Sequence, residues 1–182
     1  RTFSSAASDV YKRQIFSFIN TSVVSTAQSP GTRDVVEWTM VHILSGIEFN
    51  IYGVHFKASS GTSNAQQRLQ EATILRNYLN SLSVNYFIVA GDFNIYSNSS
   101  STEPAFNMLT GSSESNGGRL FDPINRIGNW HSNISFSDVH TQSPRTSSFG
   151  GGANGGMDDR FDWLFVGESL LNDQSPMVYI ED

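Results

Sequence analysis

Phe87-Ile88-Val89-Ala90-Gly91-Asp92-Phe93-Asn94 reads as a buried strand that runs straight into a polar tip. Phe87 to Ala90 is a short apolar run of the kind that fills a sheet covered on both faces. Gly91 permits a close approach of backbone or a sharp turn. Asp92 and Asn94 lie two residues apart, so in extended chain their side chains share one face. A carboxylate beside an amide at a strand end suits a hard divalent cation and a phosphate oxygen. The carboxylate ligates Mg²⁺ or takes a proton from water, and the amide ligates or orients. The same Asp-x-Asn also reads as a strand followed by an Asx turn, so its context has to decide.

Working back toward the start, Ile15 to Thr26 alternates as a strand and its continuation, ahead of a Ser29-Pro30-Gly31 turn. Arg33 to Leu44 and Ile47 to Phe56 are two further strands, with Ser45-Gly46 between them as a tight two-residue hairpin. On the second, Phe49, Ile51, Gly53 and His55 share one face and Tyr52, Val54 and Phe56 the other. Both faces are mostly apolar, which predicts a central strand covered on both sides. His55 ends that strand, either as a satisfied core histidine or as a functional one.

Ser63 to Leu82 is the clearest helix. Ser63 with Gln66 forms a Ser-x-x-Gln capping box, and Leu69, Ala72, Leu75, Leu79 and Leu82 make an apolar stripe. Gln66, Gln67, Arg68, Gln70 and Glu71 fall on its wet side. Strand, helix and the Tyr86-Val89 strand form an ordinary crossover, with the helix as scaffold.

Beyond Asn94, Thr102 caps a short helix with Pro104 in its first turn, running to about Leu109. Trp130 and His131 read as half-buried packing, with a place in a substrate groove as the alternative. Phe136 to Thr141 is a short strand or loop that includes His140. The run holding Gly150-Gly151-Gly152 and Gly155-Gly156 lacks a Gly-Lys-Ser/Thr ending, so it is no nucleotide P-loop. It reads as a surface loop, or else as one folding over a phosphate. Phe161 to Val166 is a strong apolar strand in which Asp162 is the odd residue, a carboxylate that is costly unless paired. Arg160, two positions back, offers one such pairing. Met177 to Ile180 reads as a last strand.

Gly91-Asp92-Phe93-Asn94 after an apolar strand resembles the signature of the endonuclease/exonuclease/phosphatase superfamily, the DNase I-like fold. Val54-His55-Phe56-Lys57 is similar to that family's first active-site histidine strand, and Arg160-Phe161-Asp162-Trp163 to its later Arg-x-Asp strand. The resemblance covers about residues 15–182. It implies an α/β sandwich of two mostly antiparallel sheets with outer helices, incomplete at both ends. It also implies a phosphoester hydrolase using Mg²⁺ or Mn²⁺, with Asp92 and Asn94 at the metal. Asp92 would activate water, Asn94 would position it or the phosphate, and His55 would donate to the phosphoryl oxygens. Asp162 would orient a histidine from a Ser-Asp-His that does not occur here. The family's N-terminal Asn and Glu motifs are missing as well, so no glutamate precedes the hairpin to hold His55; the first is Glu37. The expectation is a fragment with weak metal binding and little activity by itself. Arg33, His140 and Arg160 are further candidates for a phosphate contact.

Composition sets the limits. A chain of 182 residues makes one domain or part of one. It has no cysteine, hence no disulfide framework and no thiolate metal site, and no apolar run long enough to span a membrane. Its net charge of −6 argues against a broad electrostatic grip on nucleic acid, although a bound cation would still supply local positive field. The Ser-, Asn-, Thr- and Gly-rich, charge-poor composition points to an extracellular or periplasmic protein. Asp9-Val10-Tyr11-Lys12-Arg13-Gln14 matches the translated end of a common sequencing-library transposon. Residues 1–14 are therefore expected to be a non-native leader that packs against nothing, and 15–182 the partial domain.

The substrate expected first is a phosphodiester, with nucleic acid among the candidates. A lipid phosphodiesterase or a phosphomonoesterase would use the same core. A non-catalytic β-sandwich binding module is the reading from another class, and it would leave His55, Asp92, Asn94 and Asp162 scattered. The enzyme reading predicts that these four converge within about 10 Å, a metal-plus-phosphate span.

Overall fold

The computed structural model describes residues 16–24, as backbone, together with 33–83, 86–142, 147 and 156–180. The expectations for residues 1–14, for Ser29-Pro30-Gly31 and for Gly150-Gly151-Gly152 lie outside the described residues. The first three strands, β1 (Phe16–Val24), β2 (Val35–His42) and β3 (Glu48–His55), pair antiparallel in succession. A long helix, α1 (Thr62–Ser81), then carries the chain to β4 (Phe87–Asp92), which lies parallel to β3. On the far side of β4 runs β6 (Asp162–Gly167), antiparallel, with the two-residue β5 (Leu120–Phe121) at its edge. The order is β1-β2-β3-β4-β6-β5 in one six-stranded, mostly antiparallel sheet. A short helix, α2 (Pro104–Thr110), and two 3₁₀ turns, Ile134–Val139 and Glu168–Leu171, complete the ordered elements. The class is α/β as expected, and the described residues build one sheet of the expected sandwich.

Side-chain alternation shows why the helices sit where they do. Tyr52, Val54 and Phe56 of the β3 segment, Phe87, Val89 and Phe93 of the β4 segment, and Trp163 and Phe165 of β6 are all buried on one face. They pack with Ala72, Leu75 and Leu79 of α1, Ala105, Phe106 and Leu109 of α2, and Trp130. Edge-to-face rings join the layer, with centroids 5.2 Å apart for Phe56–Phe93 and 5.1 Å for Phe93–Phe165. On the other face Ile51, Ile88 and Ala90 are half-buried and Leu164 is 47% exposed. The cover expected on both sides of β3 and β4 is therefore complete on only one side among the described residues. Gly91, at φ +136, sits so close to the Val54 carbonyl that any Cβ would overlap it, the close approach anticipated for this position.

Several local expectations are corrected. The hairpin is not a two-residue turn: the last bond is His42 N–H to Ile47 O at 2.9 Å, which leaves Ile43–Gly46 as the loop. The Ser45 hydroxyl bonds His42 Nδ1 at 2.7 Å and accepts from Ile47 N at 3.3 Å, stabilising the wider turn. The capping box does not form; α1 starts at Thr62 behind Gly61, at φ +100, with no side-chain cap. Glu103, not Thr102, takes the cap position of α2, with Pro104 beginning the helix as expected. Met177 to Ile180 is irregular chain, tied back by Tyr179 N–H to Leu170 O at 2.7 Å.

The wet face assigned to α1 is also corrected, because Arg68 and Glu71 are buried. Arg68 forms a bidentate pair with Glu103 at 2.6 and 3.1 Å and donates to the carbonyls of Lys57 and Ser59 at 2.8 and 2.9 Å. Glu71 accepts the Lys57 N–H at 2.9 Å. The loop after β3 exposes backbone groups to the core side, and these two side chains satisfy them.

Arg68→Ala would strand Glu103 as a buried, unpaired carboxylate and free two carbonyls. Breaking a buried pair from one side costs about 3–5 kcal/mol. Urea denaturation should show a loss of that order, and Arg68→Met with Glu103→Leu should recover most of it. A single variant as stable as the parent would mean the pair does not hold α1 to α2.

Candidate active site

Two strand pairings place the candidate residues. Parallel pairing of β3 with β4 sets His55 beside Asp92, and antiparallel pairing of β4 with β6 sets Asp92 beside Asp162. Three candidate side chains thus stand in a row across the end of the sheet. His55 Nε2 lies 3.6 Å from Asp92 Oδ2. Asp162 is exposed, and its N–H donates to the Thr141 hydroxyl at 2.9 Å.

Asp92 and Asn94 meet in a way the extended chain does not predict. Asn94 turns into the left-handed region at φ +50, which breaks the strand alternation. Its N–H donates to Asp92 Oδ1 at 2.9 Å, and its buried side-chain amide donates to Phe56 O at 3.2 Å. An Asx turn is therefore present, and Asp92 Oδ2 still faces His55. Burial pushes the Asp92 carboxyl above the usual carboxylate range. The Asn94 N–H opposes that shift, the neighbouring Asp162 charge adds to it, and His55 opposes it.

Other candidates are committed elsewhere. Arg160 is buried and forks onto Asp122 with two bonds of 2.9 Å, donates to Arg126 O at 2.9 Å, and lies 3.5 Å over the Trp163 ring. It neither pairs with Asp162 nor remains available to a phosphate. His140 is buried with both ring nitrogens 3.0 Å from carbonyls, those of Met157 and Trp130, so it braces two loops instead of facing substrate. Arg33 is exposed just before β2, and its charge helps hold Glu71 down against the burial that raises it. Glu37 is engaged by Tyr52, Asn50 and Tyr78 at 2.7, 2.8 and 2.9 Å.

A second cluster adjoins the row. Tyr96, two residues past Asn94, packs its ring on Phe161 at 4.9 Å and on His131 at 5.2 Å. His131 is not half-buried packing: its side chain is 49% exposed and its Nδ1 contacts the buried Asp159 carboxylate at 2.8 and 3.0 Å. Trp130, its neighbour, is fully buried and donates to Ile95 O at 2.9 Å. Tyr96 and His131 line an open pocket of about 440 Å³, bounded on one side by the first turn of α1. The residue types were visible in the sequence, but nothing in it brought together positions 28 apart.

No family model matches the sequence, and no curated protein matches it. Solved structures match its fold. An endonuclease/exonuclease/phosphatase family protein from Bacteroides thetaiotaomicron aligns with 85% of the chain at TM-score 0.52 and 15% identity, over 51% of its own length. A mannosyl-6-phosphatase from the same organism aligns with 85% at TM-score 0.52 and 14% identity, over 54% of its length. D. rerio TDP2, in complex with a single-strand DNA product, aligns with 84% at TM-score 0.51 and 14% identity, over 53% of its length. The chain thus spans about half the length of the solved structures it matches, and its fold is DNase I-like.

The raised Asp92 carboxyl yields a signed test. A group whose folded pKa lies above its unfolded value binds its proton more tightly when folded. Its ionisation opposes folding above that pKa, and the cost fades as pH falls through it. Asp92→Asn keeps the turn acceptor and should melt higher than the parent at pH 7, with the gap closing in acid. Asp162→Asn should move the Asp92 midpoint down in carboxyl ¹³C titrations. An unmoved midpoint would show that the two carboxylates do not interact.

Proposed function

We propose that the chain is part of a divalent-metal-dependent phosphoester hydrolase, a phosphodiesterase with nucleic acid as a candidate substrate. The observation that carries this is the row of His55, Asp92 and Asp162 on three adjacent strands. A binding module has no need to line up a histidine and two carboxylates. In this reading Asp92 Oδ2 accepts the proton of the attacking water, and Asn94 holds Asp92 and the water or phosphate in place. His55 donates to the phosphoryl oxygens as charge builds there. Asp162 orients a further histidine from outside these residues.

Mg²⁺ or Mn²⁺ fits the donors in kind but not in number. Asp92, Asn94 and Asp162 offer hard oxygens, yet among the described residues no group of three His, Cys, Asp or Glu side chains is placed to hold an ion. Ligands from the remainder of a longer protein would complete the site, and this chain by itself would bind metal weakly and turn over little. When bound, the ion would neutralise charge developing on the phosphoryl group.

The DNA product in the TDP2 structure supports nucleic acid as the substrate. The mannosyl-6-phosphatase supports the phosphomonoesterase alternative on the same core, and a lipid phosphodiester remains the third. Among the described residues no helix is long and apolar enough to cross a membrane. The polar, charge-poor composition supports export to the periplasm or beyond.

The test is steady-state hydrolysis of bis-p-nitrophenyl phosphate, p-nitrophenyl phosphate and single-stranded DNA by the gene product with its native ends, with and without Mg²⁺. Chelation should abolish turnover, and Asp92→Asn should lower kcat by about 10²–10⁴-fold with an unchanged circular dichroism spectrum. Parental turnover in folded Asp92→Asn would remove Asp92 from the chemistry.

A further inference from the structure

The proposed mechanism leaves the Tyr96 pocket unused. Three features make it more than a surface hollow. First, His131 is anchored: Nδ1 is held by both oxygens of the buried Asp159, while no described residue is seen bonding Nε2. A carboxylate behind one imidazole nitrogen fixes the ring and supports positive charge on it, leaving the other nitrogen to act. Second, the pocket adjoins the carboxylate row. Phe93 N–H bonds Phe161 O at 2.8 Å, and the Tyr96 ring lies between Phe161 and His131. Tyr96 lies two residues past Asn94, whose N–H bonds Asp92 Oδ1 at 2.9 Å, so one short loop links the row to the His131 dyad. Third, about 440 Å³ is enough for a sugar- or nucleoside-sized group, and the lining combines an aromatic ring with hydroxyls from Ser60, Ser97 and Thr102.

We propose that this pocket is the leaving-group subsite of a phosphoester held against the row, with His131 Nε2 as the hydrogen-bond and proton donor to the leaving oxygen. This rests on the phosphoester reading above. As the water oxygen bonds to phosphorus, its proton passes to Asp92. The bond from phosphorus to the leaving oxygen breaks, and that oxygen takes the Nε2 proton. Asp159 is a positioning residue, holding Nδ1 so that Nε2 stays turned outward. Tyr96 walls the subsite between His131 and the row.

Four histidines in the chain make imidazole NMR tractable, with the buried His140 as an internal reference. The gene product with its native ends would be titrated with phenyl phosphate and, separately, with inorganic phosphate in the presence of Mg²⁺. The expected result is that phenyl phosphate moves both His55 and His131 and inorganic phosphate moves only His55. If His55 moves and His131 stays still, the subsite is wrong and the phosphoester reading stands. If neither moves, both fail. If both anions move His131 equally, the pocket is a simple anion site and the leaving-group assignment is overturned.

Kinetics on the gene product with its native ends then separate a donor from a spectator. His131→Gln should slow a phenyl or alkyl phosphoester by about 10²-fold or more and leave the p-nitrophenyl ester, whose leaving group needs no proton, nearly unchanged. Equal losses on both esters would reduce His131 to a structural role. Asp159→Asn should show the same split at smaller amplitude.

Discussion

The parallel pairing of β3 with β4 is the constraint on which the rest of the site depends. It runs in unbroken register from Asn50 beside Phe87 to His55 beside Asp92. Backbone bonds close it at both ends, Asn50 N–H to Tyr86 O at 3.0 Å and Phe56 N–H to Asp92 O at 2.9 Å. A slip of one residue would turn Val89 and Phe93 away from α1 and bring Asp92 into the layer they occupy. Hydrophobic burial on one face therefore fixes which polar atoms meet at the strand ends. β6 docks on the same strand with Asp162 beside Asp92. The row is a consequence of core packing, and it needs no special contact of its own to exist.

Residues whose signal is carried by their own segment were legible in the sequence. The apolar run at Phe87, the alternation through His55 and the lone carboxylate at Asp162 each mark a strand of the right kind, and the leucine stripe marks α1. Arg68 was misread because a charged residue on a helix counts by default as solvated. Nothing local reveals that the carbonyls of Lys57 and Ser59 need a donor. Arg160 was misread for a related reason. It precedes β6 instead of lying in it, so the two-residue spacing to Asp162 carries no same-face meaning, and its true partner, Asp122, is 38 positions away. The dyad of His131 and Asp159 was invisible as a pair because irregular chain has no periodicity from which to predict a meeting.

Charge shapes what such a site can bind. The chain is acidic overall, and the row contributes two adjacent carboxylates to a region that, on the proposed function, receives a phosphate. Like charge repels like, so the site is productive only with a cation or cationic imidazoles between carboxylates and substrate. His55 stands against Asp92 and His131 against Asp159, so each of these carboxylates already has an imidazole beside it.

The Asx turn at Asp92 is present, and it leaves the catalytic reading of Asp92 open, because the turn occupies only one carboxylate oxygen. The turn requires only an oxygen accepting the Asn94 N–H, and Oδ1 supplies it. An asparagine would do that without ionising, yet the chain places a carboxyl there, partly buried and next to a second carboxylate. That choice opposes folding at neutral pH and adds nothing to the turn. Perturbed carboxyls of this kind cluster where chemistry selects the charge over stability. The turn holds Oδ1 still, and the oxygen so immobilised keeps Oδ2 aimed at His55 and the open end of the sheet, which is the orientation a general base needs.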